Sequence, residues 1–312
     1  MIGLIGRGDD PCVVRVCEAA AELGLPHVLI DEDRLEGAAL RVDLEGAGVR
    51  AVLRTRDGVV DLEELSGVYA RALGPAQSSR DASAVAAALH EWLDVTEVPV
   101  MGRPASMFSN SSKPHQARLI AAGGLGVPTT LVTNDPEAVR AFRAAHGRIV
   151  FKSISGIRSI VREVDDAAMA RVDRIRDLPT QFQARVSGTD VRVHVVGTDV
   201  FPTRIASTAL DYRYAARDGL SCDLEPCVLA PEIEAACVSV ATALDLPLAG
   251  IDLRIGDEAE VTCFEVNPMP AFSFFESHTG QPIAAAIAGF LAGHRGLAPR
   301  HTDGTGRESE VA

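Results

Sequence analysis

Residues 250–270 read GIDLRIGDEAEVTCFEVNPMP, two stretches of alternating apolar and polar side chains on either side of a Gly-Asp turn. Period-two alternation flanking such a turn predicts an antiparallel β-hairpin. With Gly256–Ala259 as the loop, Ile255 faces Glu260, Asp252 faces Cys263, and Glu265 lies one diagonal step from Asp252. Cys263, Glu265 and Asn267 then share the face of Asp252, because side chains repeat every two residues on a strand. Two carboxylates brought together among apolar neighbours repel strongly without a counter-charge. A hard cation removes that repulsion. Asp, Glu and Asn oxygens suit Mg²⁺, which keeps open positions for phosphate oxygens. The competing reading is an exposed sheet face whose polar residues simply alternate with Ile251, Leu253, Phe264 and Val266. The hairpin alone leaves both open.

Composition narrows the class. At 312 residues the chain exceeds one compact core, and about 150 residues per domain predicts two or three lobes. An apolar content of 47% with 23% charge fits a globular protein. The formal charge is −13, and the first hundred residues hold 18 acidic side chains against nine arginines. Such a chain lacks the basic footprint of a nucleic-acid binder and repels anionic lipid. The N-terminus MIGLIGRGDD has no basic stretch leading into a long apolar one, so no signal peptide is expected, and no apolar run of membrane-spanning length follows. The six cysteines form no C-x-x-C pair. The expectation is a cytoplasmic protein in a reducing compartment, with no nucleic-acid or membrane partner.

Along the chain, IGLIG (2–6) predicts a buried strand, and Asp10-Pro11 an N-cap with proline in the first helical turn. The helix runs to Gly24, and HVLID (27–31) closes a βαβ opening. Gly3, Gly6 and Gly8 give G-x-x-G-x-G instead of the dinucleotide spacing, so a tight turn is the plainer reading. A meander or hairpin is expected over 40–62, a strand over 67–73, and a helix over 81–96 carrying the single Trp92 in the core. Segment 97–112, rich in Pro, Ser and Asn, reads as a linker. Helices are expected over 113–124 (capped by Asn110 or Ser111), 136–146, 165–176, 231–245 and 281–294. Strands are expected over 128–135, 148–154, 157–164, 180–186 and 191–207, the last turning at Gly197-Thr198.

Of the 30 basic residues, 28 are arginine and only Lys113 and Lys152 are lysine. Lys113 opens a helix, where a cation opposes the helix dipole, a placement that makes sense if it serves an anion. Lys152 sits mid-strand in apolar RIVFKSI, where it needs a partner that a phosphate would supply. Two snorkelling surface lysines are the alternative.

The two lysines 39 residues apart, the strand end Gln183-Ala184-Arg185-Val186 and the Asp252…Glu265-x-Asn267 set together resemble the ATP-grasp ligases, over about residues 67–293. Ala184 stands where that family usually has an acidic residue. Within it, the runs 128–136, 189–197, 205–213 and 264–291 are most similar to the ribosomal-protein glutamate ligase type and to the peptide maturases of microviridin-like graspetides. Pro268-Met269-Pro270 departs from their usual Pro-x-Gly.

The resemblance implies an α/β ATP-grasp fold with α+β lobes. It comprises an N-terminal βαβ pre-ATP-grasp domain (1–108), a central lobe (109–184), a C-terminal lobe with the metal site (185–299) and a disordered tail (300–312). It implies that Lys113 and Lys152 bind ATP phosphates and that Gln183, Ala184, Arg185 and Val186 form the adenine hinge. Asp252, Glu265 and Asn267 would hold two Mg²⁺, with Mn²⁺ as an alternative ion. Arg192 would stabilise the transferring phosphoryl group and Arg213 the acceptor carboxylate. For these two, a surface position on the strand and a local ion pair with Asp211 are the plainer alternatives. Asp190 reads as a turn cap, His194 as a strand histidine, and Glu276 and His278 as substrate contacts or caps of the last helix. The implied reaction joins a carboxylate to an amine or hydroxyl through an acyl phosphate, on a precursor peptide or a small carboxylate or amine substrate, in a monomer or homodimer. A nucleotide-binding regulator with a degenerate ligase fold is the reading of another class.

Overall fold

The computed structural model describes residues 1–46, 48–76, 79–152, 161–207 and 222–293. The expected tail over 300–312 lies outside them. The N-terminal part comprises β1 (Ile2–Gly6), α1 (Pro11–Glu22), β2 (His27–Asp31), a meander of β3 (Ala39–Glu45), β4 (Gly48–Thr55) and β5 (Gly58–Asp61), then β6 (Gly67–Arg71), α2 (Arg80–Val95) and β7 (Val100–Met101). Strands β2-β1-β6-β7 form a parallel sheet. Asp10 caps α1 by accepting from the N–H groups of Cys12 and Val13. Trp92 is buried in the core, and its Nε1 and the Thr96 hydroxyl both donate to Glu63.

The segment read as a linker is not one. Val100 and Met101 are buried and pair with Val68 and Tyr69 as the last strand of the parallel sheet, and a 3₁₀ turn follows over Ala105–Ser111. Two apolar residues suffice for a short strand whatever the composition around them.

Open parallel sheets bind ligands beyond the carboxyl ends of their strands. Here that place belongs to the chain itself. Arg71, at the end of β6, donates from Nε to Asp10 at 2.9 Å and from Nη1 to the carbonyls of Met269 (3.4 Å) and Pro270 (3.5 Å). The Gly8 N–H donates to Asp31 at 3.1 Å, and a Cβ on Gly8 would meet that carboxylate. The glycine run is thus a tight turn closed on its own acidic residue.

The central part comprises α3 (Lys113–Ala122), β8 (Thr130–Thr133), α4 (Pro136–His146), β9 (Ile149–Lys152), β10 (Arg162–Glu163), α5 (Asp166–Met169) and β11 (Thr180–Ala184). Its antiparallel sheet has the order β10-β9-β11-β8. Helix α3 starts after Ser112 with no side-chain cap, because Asn110 and Ser111 belong to the 3₁₀ turn before it. The helix expected over 165–176 divides into α5 and a 3₁₀ turn, Val172–Asp177, whose first residue is buried in the lobe's core. Of the strand expected over 157–164, residues 157–160 lie outside the described residues.

The C-terminal part comprises β12 (Thr189–Val196), β13 (Asp199–Ser207), β14 (Cys222–Pro226), α6 (Pro231–Ala243), β15 (Leu248–Ile255), β16 (Val261–Asn267), α7 (Phe272–Thr279) and α8 (Ile283–Leu291). The sheet order is β14-β13-β12-β15-β16. One face packs on α6; Val196 and Leu248 join a core shared with α1, α7 and α8. The single expected terminal helix is two. Gly280, in the left-handed region at φ 69°, ends α7 before α8 begins. Glu276 caps α8 by accepting from the Ala284 N–H at 2.8 Å, and its other oxygen accepts from Arg15 of α1 at 2.9 Å.

The N-terminal sheet is therefore docked on the loop that follows Asn267 through Arg71, which a largely buried ion pair with Asp10 holds in place. Arg71→Met is expected to lower stability by about 3 kcal/mol, since removing one partner leaves Asp10 buried without its cation. Urea unfolding of the variant beside the parent checks this.

Candidate active site

The hairpin forms, but in another register. Its loop is one residue longer than expected, with Ile255 facing Val261 and the Gly256 N–H donating to the Glu260 carbonyl at 2.9 Å. A second slip follows. Leu253 faces Cys263 while Asp252 faces Glu265, so Phe264 is an extra residue, a β-bulge. The two slips add up to place the carboxylates directly opposite each other instead of on a diagonal. They also overturn the placement of Cys263, which lies with Leu253 in the apolar core, its thiol pushed up by burial. Phe264 and Glu265 both line the cleft.

Each carboxylate meets a cation. Arg192, opposite Asp252 across β12 and β15, donates from Nη1 to Asp252 Oδ1 at 2.8 Å. Lys113 Nζ lies 3.7 Å from Glu265 Oε1. Asn267 Nδ2 is 3.4 Å from Asp252 Oδ2. Arg192 is buried, and it fits because residue 250 is glycine: a Cβ there would run into its guanidinium.

Lys113 owes its place to Gln116, which the sequence reading missed. This buried amide, one helical turn on, donates to the Val266 carbonyl at 2.8 Å and accepts from the Val266 N–H at 3.1 Å. It thereby completes the open edge of β16 between Glu265 and Asn267 and ties the start of α3 to that strand. A lone glutamine in a helix carries no sequence signal for such a contact.

Lys113, Lys152, Gln183, Ala184, Arg185, Val186, Asp252 and Glu265 all line one cleft. Arg192 and Asn267 stand behind it, reaching it through Asp252. Lys152 is buried at the end of β9, opposite Gln181 of β11. The Gln183 side chain donates to the Thr130 hydroxyl at 3.0 Å, and the Ala184 and Arg185 N–H groups donate to Thr129 and Arg148. Arg213 lies outside the described residues.

Two further charged groups line the cleft. Arg254 grips Asp190 with both arms of its guanidinium, which corrects the reading of Asp190 as a turn cap. Arg254 follows Asp252 by two residues, so strand alternation alone puts it on the same face. The lining holds Lys113, Lys152, Arg185 and Arg254 against Asp190, Asp252 and Glu265, an excess of cations that suits a polyanion carrying a metal. Among the described residues no three His, Cys, Asp or Glu side chains converge as a complete metal site. Two carboxylates and an amide would give a Mg²⁺ ion only part of its shell, leaving the rest to ligand oxygens and water.

His194, two residues beyond Arg192, is fully buried, and neither ring nitrogen has a hydrogen-bond partner. Its ring packs edge-on against Phe275 at 4.9 Å. Burial first, then the Arg192 charge, pushes its pKa well below the usual value. The unfolded chain therefore binds one more proton below about pH 6.5, and stability is expected to fall there by up to about 1.4 kcal/mol per pH unit. Unfolding midpoints measured between pH 5 and 8 check this; His194→Phe should flatten the acid limb by one proton.

Against this geometry, a family model described as the RimK-like ATP-grasp domain matches residues 110–291. A probable alpha-L-glutamate ligase of Aliivibrio salmonicida (strain LFI1238) is 26% identical over 224 residues, 68% of this chain and 73% of its own. The ATP-grasp ligase PsnB, solved with a minimal precursor, Mg and ADP, superposes with a TM-score of 0.75 at 26% identity, over 94% of this chain and 96% of its own. The Chryseobacterium gregarium RiPP-associated ATP-grasp ligase, in complex with ADP and a leader and core peptide, shares the fold at a TM-score of 0.78 and 21% identity, over 95% and 97%. With more than half of its length matched by the family model, the chain belongs to the RimK-like ATP-grasp ligases.

Proposed function

We propose that this protein uses Mg-ATP to activate a carboxylate as an acyl phosphate and joins it to an amine or hydroxyl within a ribosomally made precursor peptide. The observation that carries the reading is the pairing of Asp252 with Glu265 at the floor of a cation-rich cleft. The peptide substrate is supported by the complex of PsnB with a minimal precursor, and the Chryseobacterium enzyme of the same fold was solved with a leader and core peptide.

In this reading Lys113 and Lys152 supply ammonium groups to the phosphates, and the segment Gln183–Val186 borders the base. Asp252, Glu265 and Asn267 hold the metal, two ions being the number we assign. The bound metal neutralises charge on the terminal phosphates. Lys113, 3.7 Å from Glu265, and Arg192, in contact with Asp252, spread positive charge on both sides of the carboxylate pair. Arg192 is buried and held by its strand neighbours, so its guanidinium needs no reorganisation as charge builds on the transferring phosphoryl group. Arg213 is assigned to the acceptor carboxylate on the family resemblance alone.

A second reading rests on a different observation: the curated relatives are named as glutamate ligases. There the incoming amine is free glutamate. The two differ in product. A peptide crosslink loses one water per bond and needs no added amino acid, whereas glutamate addition raises the peptide mass and depends on glutamate.

An ADP-release assay with mass analysis, run on peptides bearing Asp or Glu with Thr, Ser or Lys, is expected to show ADP formation and water loss. Arg192→Ala should lower kcat about a hundredfold or more while ADP affinity stays within about threefold. An unchanged rate removes its assigned role, and glutamate-dependent mass gain selects the second reading.

A further inference from the structure

The nucleotide cleft has two ends, the Gln183–Val186 segment and the carboxylate pair, and these belong to different sheets. One side chain connects them. Arg254 on β15 donates from Nη1 to the Val186 carbonyl at 2.9 Å and from Nε and Nη2 to Asp190 Oδ1 and Oδ2 at 2.7 and 2.8 Å. Its Cζ lies over the Phe264 ring, 5.2 Å from the centroid. Phe264 is the bulged residue that shifts Glu265 into register with Asp252. A single planar group is thus fixed at three places: the border segment, the start of β12 and the bulge beside the carboxylates.

The chemistry favours a rigid connection. A guanidinium presents donors in a fixed plane, and bidentate pairing with a carboxylate sets its orientation as well as its distance. The Asp190 and Arg254 side chains are mostly buried, at 23% and 18% exposure, so water weakens the pair less than on an open surface. A connection needed only to hold β12 against β15 would not have to reach Val186 or stack on Phe264, because those two strands already pair over eight residues.

We infer that Arg254 is a positioning residue for the nucleotide. It holds the Val186 end of the cleft at a set distance from Asp252 and Glu265, so that one ligand meets both ends without rearranging either. The inference rests on the assignment of this cleft to ATP. Its energetic signature is a cost in binding, not in the chemical step, since Arg254 stands two residues from Asp252 and directs its donors to Asp190 and the Val186 carbonyl.

The test compares the parent with Arg254→Lys, Arg254→Met and Phe264→Leu. Binding of ADP with Mg²⁺ is read by calorimetry, KM for ATP and kcat by ADP release, and folding by thermal midpoint. Arg254→Met keeps a stem to cover Phe264 and loses every donor. It is expected to weaken ADP binding and raise KM about tenfold, with kcat at saturating ATP within about threefold of the parent. Arg254→Lys should lie between the two, because an ammonium reaches one acceptor but not the fork. Phe264→Leu keeps the donors, tests the platform by itself, and should give a smaller rise in KM. Unchanged ADP affinity in a folded Arg254→Met overturns the inference. So does a fall in kcat with KM unchanged, or a lowered midpoint with parental KM in the folded fraction. Should the parent itself bind no ADP, the assignment of the cleft to ATP fails first and is distinguished by that result.

Discussion

Two carboxylates facing each other across an antiparallel strand pair repel, and a fold that keeps them there must supply compensation on every side. Asp252 and Glu265 are in that position because the strand carrying Glu265 holds one residue too many. Arg192 meets the first from β12 and Lys113 meets the second from α3. Those two cations come from different parts of the chain, so the carboxylate pair is the point on which the C-terminal sheet and the start of the central part agree. Gly250 makes room for one cation, and Gln116 fixes the helix that brings the other.

The supports behind the pair have the same character. Arg71 takes the Met269 and Pro270 carbonyls just beyond Asn267, using the ligand end of a parallel sheet to hold a loop of its own chain. Glu276 caps α8 and accepts from Arg15, so the helices after that loop are tied to the N-terminal sheet as well. The acidic first hundred residues thereby act as a platform for the loop after Asn267 and the helices that follow it. Part of their charge goes into local pairs such as Asp10 with Arg71, and the acidic excess that is left repels a polyanion.

Much of this was legible in the residues. The alternation around Gly256 gave the hairpin, the isolation of two lysines among arginines marked two residues that line one cleft, and Asp10-Pro11 marked the first helix. What escaped reading escaped for physical reasons. Strand alternation is blind to a bulge, because an extra residue changes neither the hydrophobic period on each side nor the turn; hence the wrong partner for Asp252. Val100 and Met101 formed a strand inside a polar segment because two buried residues are too short a run to show a period. Gln116 works through a contact 150 residues away, which no local pattern records. Arg254 was within reach, since it shares a face with Asp252, but its partners Val186 and Phe264 depend on the bulge.

The central claim is that Asp252 and Glu265 form a half-complete metal site that only a nucleotide finishes. Mn²⁺ binding followed by electron paramagnetic resonance, with and without ADP, tests it most directly. The account predicts weak Mn²⁺ binding by the protein alone, where Lys113 and Arg192 already neutralise the pair, and binding at least about tenfold tighter with ADP present. It predicts loss of that gain in Glu265→Gln. Tight Mn²⁺ binding without nucleotide, or a nucleotide-dependent gain that survives Glu265→Gln, would contradict it.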